Sequence, residues 1–288
     1  MSRTRGKQFV DTTLVGAGTL ATALAIALRS SGHRVLEIVA RDNPRSISHA
    51  RTLAKRVGAN ATTLSKASFT AKVTWICAPD DAISEVADRI AARSEWKRKI
   101  AVHSSGALDS DVLASLKKAG ANTASAHPLM TFVSSSKSEL VGVPFAMEGD
   151  PKALAVVRAI VRSIGGNPFR IAADLKPAYH LFGFFSSPAL VALMAAAQKV
   201  GELAGLNERK SRELMEPIIR RTIDNCFRSA PQQAFSGPLR RGDIATLRKH
   251  LEVLRQQPEL LAVYKSLSHI ALEHLPVGDP EQVKKLIG

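Results

Sequence analysis

The feature that most restricts how this chain can fold is a short run near its start, Gly16-Ala17-Gly18-Thr19-Leu20-Ala21. It comes after residues 9–15, which read as a buried strand, and it opens a segment where Leu20, Leu24, Ala27 and Leu28 recur at helical spacing. A G-x-G-x-x-A turn in that setting has a physical reason for each of its small residues. Gly16 permits the tight turn, Gly18 leaves the backbone open to a pyrophosphate, and Ala21 lets helix and strand pack closely. The helix start, with Ala17, Thr19 and Leu20, then presents N–H groups and a positive dipole end to phosphates. A strand-turn-helix without a ligand uses the same residues, so the reading depends on the rest of the chain.

From residue 35 onward the pattern is a regular alternation. Further strands are predicted at 35–40, 73–77, 100–103, 123–126, 144–147 and 168–171, with helices at 50–57, 83–90, 109–118 and 151–164. Strands alternating with helices predict a parallel, doubly wound sheet. After residue 171 only helices are predicted, at about 175–204, 207–229, 243–256, 258–274 and 280–287. The expected organisation is therefore α/β: a Rossmann-type domain over 1–172, then an all-α domain over 173–288. With 45% apolar residues in 288, the chain can fill a core for each.

The second strand ends Val39-Ala40-Arg41-Asp42-Asn43-Pro44-Arg45. A site for the unphosphorylated cofactor usually has a carboxylate at this strand tip, binding the ribose diol. Here the tip is Arg41, with Arg45 four residues on, and guanidinium groups suit a 2′-phosphate. Asp42 comes one residue late and Glu37 lies mid-strand. The expected cofactor is NADP(H).

Ligands of such sheets lie beyond the carboxyl ends of the strands. Ala78, Pro79 and Asp80 come after one strand, with Asp81 a candidate cap for the next helix. His103-Ser104-Ser105-Gly106 comes after another, and its Ser104 and Ser105 are candidates to bond the nicotinamide amide or a substrate; no nucleophile elbow is present. His127-Pro128 ends a third. A histidine held before proline suits proton transfer or carbonyl polarisation. Lys176 and His180, four apart at the start of the first long helix, share a face and form a candidate proton-donor pair. His127, Lys176 and His180 are thus the catalytic candidates, for a small-molecule substrate expected between the domains. No metal is expected, since the histidines and the two cysteines show no ligand spacing.

The formal charge is +15, from 40 Lys+Arg against 25 Asp+Glu. Nucleic acid is not the expected partner, because no recognition motif accompanies the charge, whose densest cluster is the tail at residues 2–7. Two distant cysteines fit a cytoplasmic setting. The most apolar stretch, 181–197, is interrupted by Ser186-Ser187-Pro188 and reads as too short for a membrane span.

Taken together, these motifs resemble one family: Rossmann-like proteins with a helical C-terminal domain of unknown function, related to pyrroline-5-carboxylate reductase and the deazaflavin-dependent NADP reductases. The resemblance lies in 15–21, in Ala78-Pro79-Asp80-Asp81-Ala82-Ile83, in 102–108, in 126–132, in Lys176 with Tyr179-His180, and in Ser236 to Asp243. It implies a C-terminal domain like that of 6-phosphogluconate dehydrogenase and a homodimer formed through it. It supplies no substrate. Where the family leads one to expect a Ser-Asn pair, this chain has Ser186-Ser187-Pro188. Two functions fit: an NADP-dependent oxidoreductase acting on a carbonyl or imine, or a non-catalytic NADP(H)-binding sensor.

Overall fold

The computed structural model describes residues 9–132 and 139–288; the basic tail at 2–7 lies outside them. Eight strands form one sheet. They are β1 (Asp11–Val15), β2 (Arg34–Ala40), β3 (Asn60–Thr63), β4 (Val73–Ile76), β5 (Ile100–His103), β6 (Asn122–Pro128), β7 (Pro144–Gly149) and β8 (Asn167–Arg170). Their order is β3-β2-β1-β4-β5-β6-β7-β8. The chain runs outward from β1 to β3 and returns to the other side of β1 at β4. A crevice therefore opens between the carboxyl ends of β1 and β4, where neighbouring connections leave in opposite directions.

The expected α/β class holds, with one correction. β7 pairs with β6 antiparallel, Ala126 opposite Met147 and Ser125 opposite Glu148, while every other pair is parallel. The helices α1 (Thr19–Ser30), α2 (Pro44–Val57), α3 (Asp80–Ala91), α4 (Ala114–Lys118) and α5 (Pro151–Ser163) cross between strands. Two hydrophobic clusters hold them to the sheet. One contains Leu14, Leu24, Leu28, Ile38, Trp75 and Phe145; the other contains Phe69, Ile76, Ile83, Ile90 and Trp96. Ala21 is fully buried, as the close packing of α1 requires.

Two local expectations change. α2 starts at Pro44 rather than residue 50, because the Asn43 side chain accepts the Ser46 N–H and Pro44 occupies the first helical turn. Asp81 does not cap α3; Pro79 holds the cap position with no side-chain bond, and Asp80 and Asp81 lie inside the first turn.

The chain divides into two compact units, Met1–Pro188 and Ala189–Gly288. The first carries the sheet and α6 (Lys176–Ser186); the second is helical throughout, from α7 (Pro188–Leu203) and α8 (Glu208–Arg228) to α9 (Pro231–Ala234), α10 (Pro238–Arg241), α11 (Ile244–Leu254), α12 (Pro258–His274) and α13 (Pro280–Ile287). The apolar run is longer than its interruption at Ser186-Ser187-Pro188 suggests. Ala173–Leu203 makes a helical stretch of 31 residues, broken only at Ser187, and by length and composition it can cross a membrane. It is not a core helix: Lys176 is its one buried side chain among the described residues of α6 and α7.

Candidate functional site

The site is built on the ends of five strands, β1, β2, β4, β5 and β6. After β1, Gly16 has φ of +117°, and a Cβ there would lie 2.5 Å from the Cys77 carbonyl oxygen. Only glycine fits. Gly18 is the reverse case: nothing lies within 4 Å of a Cβ built on it. It stands at the start of α1 with no side-chain cap, so the first turn keeps its N–H groups for a ligand.

Two cavities meet along this turn. One of about 480 Å³ lies on the β2 side, lined by Gly16, Ala17, Gly18, Arg41, Ser46 and His49, with Ala78, Pro79 and Asp81 among the residues of the opposite wall. The other, about 320 Å³, lies on the β5 side and is lined by Gly18, Thr19, Leu20, Asp80, Ser104, Ser105 and Phe132. They share Gly18, Cys77, Ala78 and Pro79. An elongated ligand would thus pass over the glycine turn with one end at Arg41 and the other at Asp80 and Ser104. The open cradle at Gly18 and the uncapped helix start fit a dinucleotide diphosphate there.

At the first end, both nearby carboxylates are occupied. Asp42 accepts from Arg89 at 2.9 Å and from Ser65 Oγ at 2.5 Å; the Ser65 and Thr63 hydroxyls hold its carboxyl down at about 2. Buried Glu37 accepts from the Ser68 N–H and hydroxyl and the Phe69 N–H, bridging β2 to the chain before β4. Arg41 is exposed and lines the cavity; Arg45 is exposed and does not. Ser46 and His49 line it too, and sequence reasoning missed both. The missed signal was Asn43-Pro44, which starts the helix early enough to bring them there.

At the second end, the two serines are largely committed within the chain. Ser104 Oγ accepts from the Trp75 indole at 2.7 Å and keeps its own proton for a ligand. Ser105 Oγ donates to Asp80 at 2.7 Å and accepts from the Ala107 and Leu108 N–H groups, so its hydroxyl has no proton to offer. His103 is structural. Its Nδ1 accepts the Ser105 N–H, which leaves Nε2 to donate to the Asp109 carbonyl. Burial first, and the Lys176 charge second, push it down to about 4.

Gly106 is next in the chain, and it brings the catalytic candidates together. A Cβ there would lie 2.5 Å from His180 Cδ2 and 2.9 Å from His127 Nε2. The His127 and His180 rings are 6.1 Å apart, and Tyr179 packs edge-on against His127 at 5.7 Å. His127 is half-buried, with Nδ1 unpartnered among the described residues, and burial, then Lys176 and His180, hold it down at about 4. His180 is exposed.

Lys176 is placed differently from its expected partner. Its side chain is 0% exposed, and Nζ donates to Ser125 Oγ at 2.7 Å and to the Ser105 carbonyl at 3.0 Å. The helix begins at the sheet edge, so its first residue plunges under the Ser104–Gly106 loop while His180, a turn later, faces outward. Burial pushes the Lys176 amine down, against the pull of Glu148, Asp109 and Asp80. Among the described residues no cluster of His, Cys, Asp or Glu could hold a metal.

The fold and this cleft define a Rossmann-type protein. Its first part, residues 5–128, matches the model of a Rossmann-like domain, and residues 143–270 match a domain of unknown function, DUF2520. The chain is similar in structure to a Bacteroides fragilis protein provisionally named an NADP oxidoreductase, with 25% identity, a TM-score of 0.76, and coverage of 91% of this chain and 97% of that one. It is similar in fold to a pyrroline-5-carboxylate reductase from Coxiella burnetii, at 15% identity and a TM-score of 0.57, covering 97% and 99%. An imine reductase from Myxococcus stipitatus in complex with NADP+ also shares the fold, at 15% identity and a TM-score of 0.66, covering 96% and 100%. No curated protein matches the sequence.

Proposed function

We propose that this protein is an NADP-dependent oxidoreductase that moves a hydride between the nicotinamide and a small carbonyl or imine substrate. The observation that carries the reading is the pair of cavities joined over Gly18, with Arg41 at one end and His127 and His180 gathered on Gly106 beyond the other. Arg41 would hold the 2′-phosphate, the start of α1 the diphosphate, and Asp80 with the Ser104 hydroxyl the nicotinamide half. The bound cofactor supplies the hydride. His180 is the exposed candidate to exchange a proton with the substrate heteroatom, and His127, held neutral by its surroundings, can polarise it through a hydrogen bond. Lys176 acts from below, fixing the Ser105 carbonyl. The imine reductase and pyrroline-5-carboxylate reductase of the same fold support imines as the class to try first.

The test has two parts. Calorimetric titration with NADPH and NADH measures binding, and the loss of reduced-nicotinamide absorbance over a panel of cyclic imines and small ketones measures turnover. The expected result is tighter binding of NADPH, with turnover of at least one panel member that falls about 100-fold or more in His180→Ala. NADPH binding without turnover of any panel member would favour a non-catalytic sensor. Equal affinity for the two cofactors would remove the NADP assignment.

A second copy of the chain is the proposed cover for the apolar faces of α6 and α7. Leu181, Phe182, Phe184 and Phe185 are exposed in the first, Val191 and Leu193 in the second.

A further inference from the structure

We infer that recognition of the 2′-phosphate is carried by Ser46 and His49 of α2 together with Arg41, and that Arg45 takes no part in it. This rests on reading the cleft as an NADP(H) site.

The cavity on the β2 side takes its polar lining on that wall from Arg41, Ser46 and His49. Ser46 and His49 are three residues apart, so they stand on one face of α2. That face runs on into the buried residues Ala50 and Leu53, which pins it toward the sheet. Arg45, four residues before His49, stands about 40° from it on the helix, so helix position alone does not separate them; the cavity lining does. Arg45 is exposed, and it does not line the cavity.

The start of α2 cannot serve the phosphate through the Ser46 N–H. That group donates to Asn43 Oδ1 at 2.9 Å. The donors that line the cavity on this wall are the side chains. A guanidinium, a hydroxyl and an imidazole are donors with three different reaches, and a phosphate monoester presents three acceptor oxygens. The carboxylates that could repel a phosphate are engaged elsewhere: Asp42 with Arg89 and Ser65, Glu37 with Ser68 and Phe69. Asp81 lies on the opposite wall, at the start of α3.

The chemistry is specific to a phosphate on the ribose. Without that group, the three donors have no anion to meet, so their removal should leave NADH binding unchanged.

The experiment measures dissociation constants of NADPH and NADH by calorimetry for the full chain and for Arg41→Ala, Arg45→Ala, Ser46→Ala and His49→Ala. His49 and Arg45 are exposed and Ser46 keeps its backbone bond to Asn43, so all of these variants are expected to fold, which circular dichroism checks. His49→Ala and Ser46→Ala should each weaken NADPH about three- to tenfold, and Arg41→Ala more than about tenfold, with NADH within a factor of about two throughout. Arg45→Ala should leave both constants unchanged. If the parent chain prefers NADPH but His49→Ala and Ser46→Ala keep that preference, or Arg45→Ala abolishes it, the inference is overturned while the cofactor assignment stands. If the parent chain shows no preference for NADPH, both fall together.

Discussion

Lys176 Nζ donates to Ser125 Oγ at 2.7 Å, and the lysine side chain is wholly buried. The two residues come from the first turn of α6 and the middle of β6, 51 positions apart in sequence. A second bond, to the Ser105 carbonyl, ties the same amine to the loop after β5. Lys176 thus fixes three segments to one another directly beneath Gly106, where His127 and His180 meet. With its side chain buried and two of its three N–H groups engaged, Lys176 is expected to act by position rather than by contact with a substrate.

Lys176→Met should therefore act through stability and placement. The methionine fills most of the volume but leaves Ser125 Oγ and the Ser105 carbonyl without their donor. The expected cost is about 2–4 kcal/mol in urea unfolding. Turnover in the folded variant should fall with NADPH affinity weakened at the same time, since Ser104 and Ser105 line the cavity proposed for the nicotinamide half. An unchanged unfolding midpoint with turnover alone abolished would return Lys176 to the role of direct proton donor.

The two glycines of the turn should separate folding from binding. Gly16→Ala places a Cβ 2.5 Å from the Cys77 carbonyl at a φ of +117°, so β1 and β4 must move apart or the turn must change. A loss of about 2 kcal/mol or more in stability is expected. Gly18→Val meets no protein atom near its Cβ and has φ of −76°, so the fold should be kept. Its side chain would occupy the space proposed for the diphosphate, and NADPH binding should be lost. Thermal unfolding and calorimetry on the two variants check this; a Gly18→Val protein that binds NADPH normally would show that the ligand does not cross the turn.

The contrast between legible and illegible features comes from the range of the forces involved. The glycine turn was readable because its constraint is local: a backbone angle and a close approach select residue types at fixed spacing. Arg41 was readable for the same reason, as the tip of an apolar strand. β3 was missed because Asn60-Ala61-Thr62-Thr63 is a polar edge strand with no alternation to betray it. The start of α2 was missed because Ser46 to His49 lacks apolar periodicity, although Asn43-Pro44 carried a usable start signal. The antiparallel direction of β7 leaves no local trace. Least legible was the burial of Lys176, since a lysine is rarely buried without partners and its partners lie far away in sequence. Spacing placed it beside His180; only the tertiary structure puts it beneath the loop.

Acid should weaken the fold through two histidines. His103 and His127 are both held down at about 4 in the folded chain, chiefly by burial, and return to about 6.5 when unfolded. Between those values the unfolded chain binds the extra protons, so stability rises with pH. The contribution is complete above about 6.5 and is lost as the pH falls toward 4. Each histidine adds a slope of about 1.4 kcal/mol per pH unit in that window. Urea unfolding at several pH values, compared between the parent chain and His127→Asn, should show the slope reduced by about that amount. An identical slope in the variant would mean that His127 is protonated equally in both states.

The last prediction concerns the uncovered helices. A helix that is apolar on all sides is stable where something buries it. In α6 the exposed Leu181, Phe182, Phe184 and Phe185 adjoin His180, and the apolar stretch continues into α7. Burying one such phenylalanine contributes roughly 1.5–3 kcal/mol, so a handful suffices to drive association. A second copy is the expected occupant, and the protein should sediment as a dimer at micromolar concentration. Phe182→Glu with Phe185→Glu should shift it to monomer or to an aggregating species, with turnover reduced because the disturbed surface borders His180, the proposed proton-transfer group. A parent chain that sediments as a monomer at all concentrations would refute the assignment, and flotation of that monomer with phospholipid vesicles would identify a bilayer as the cover instead.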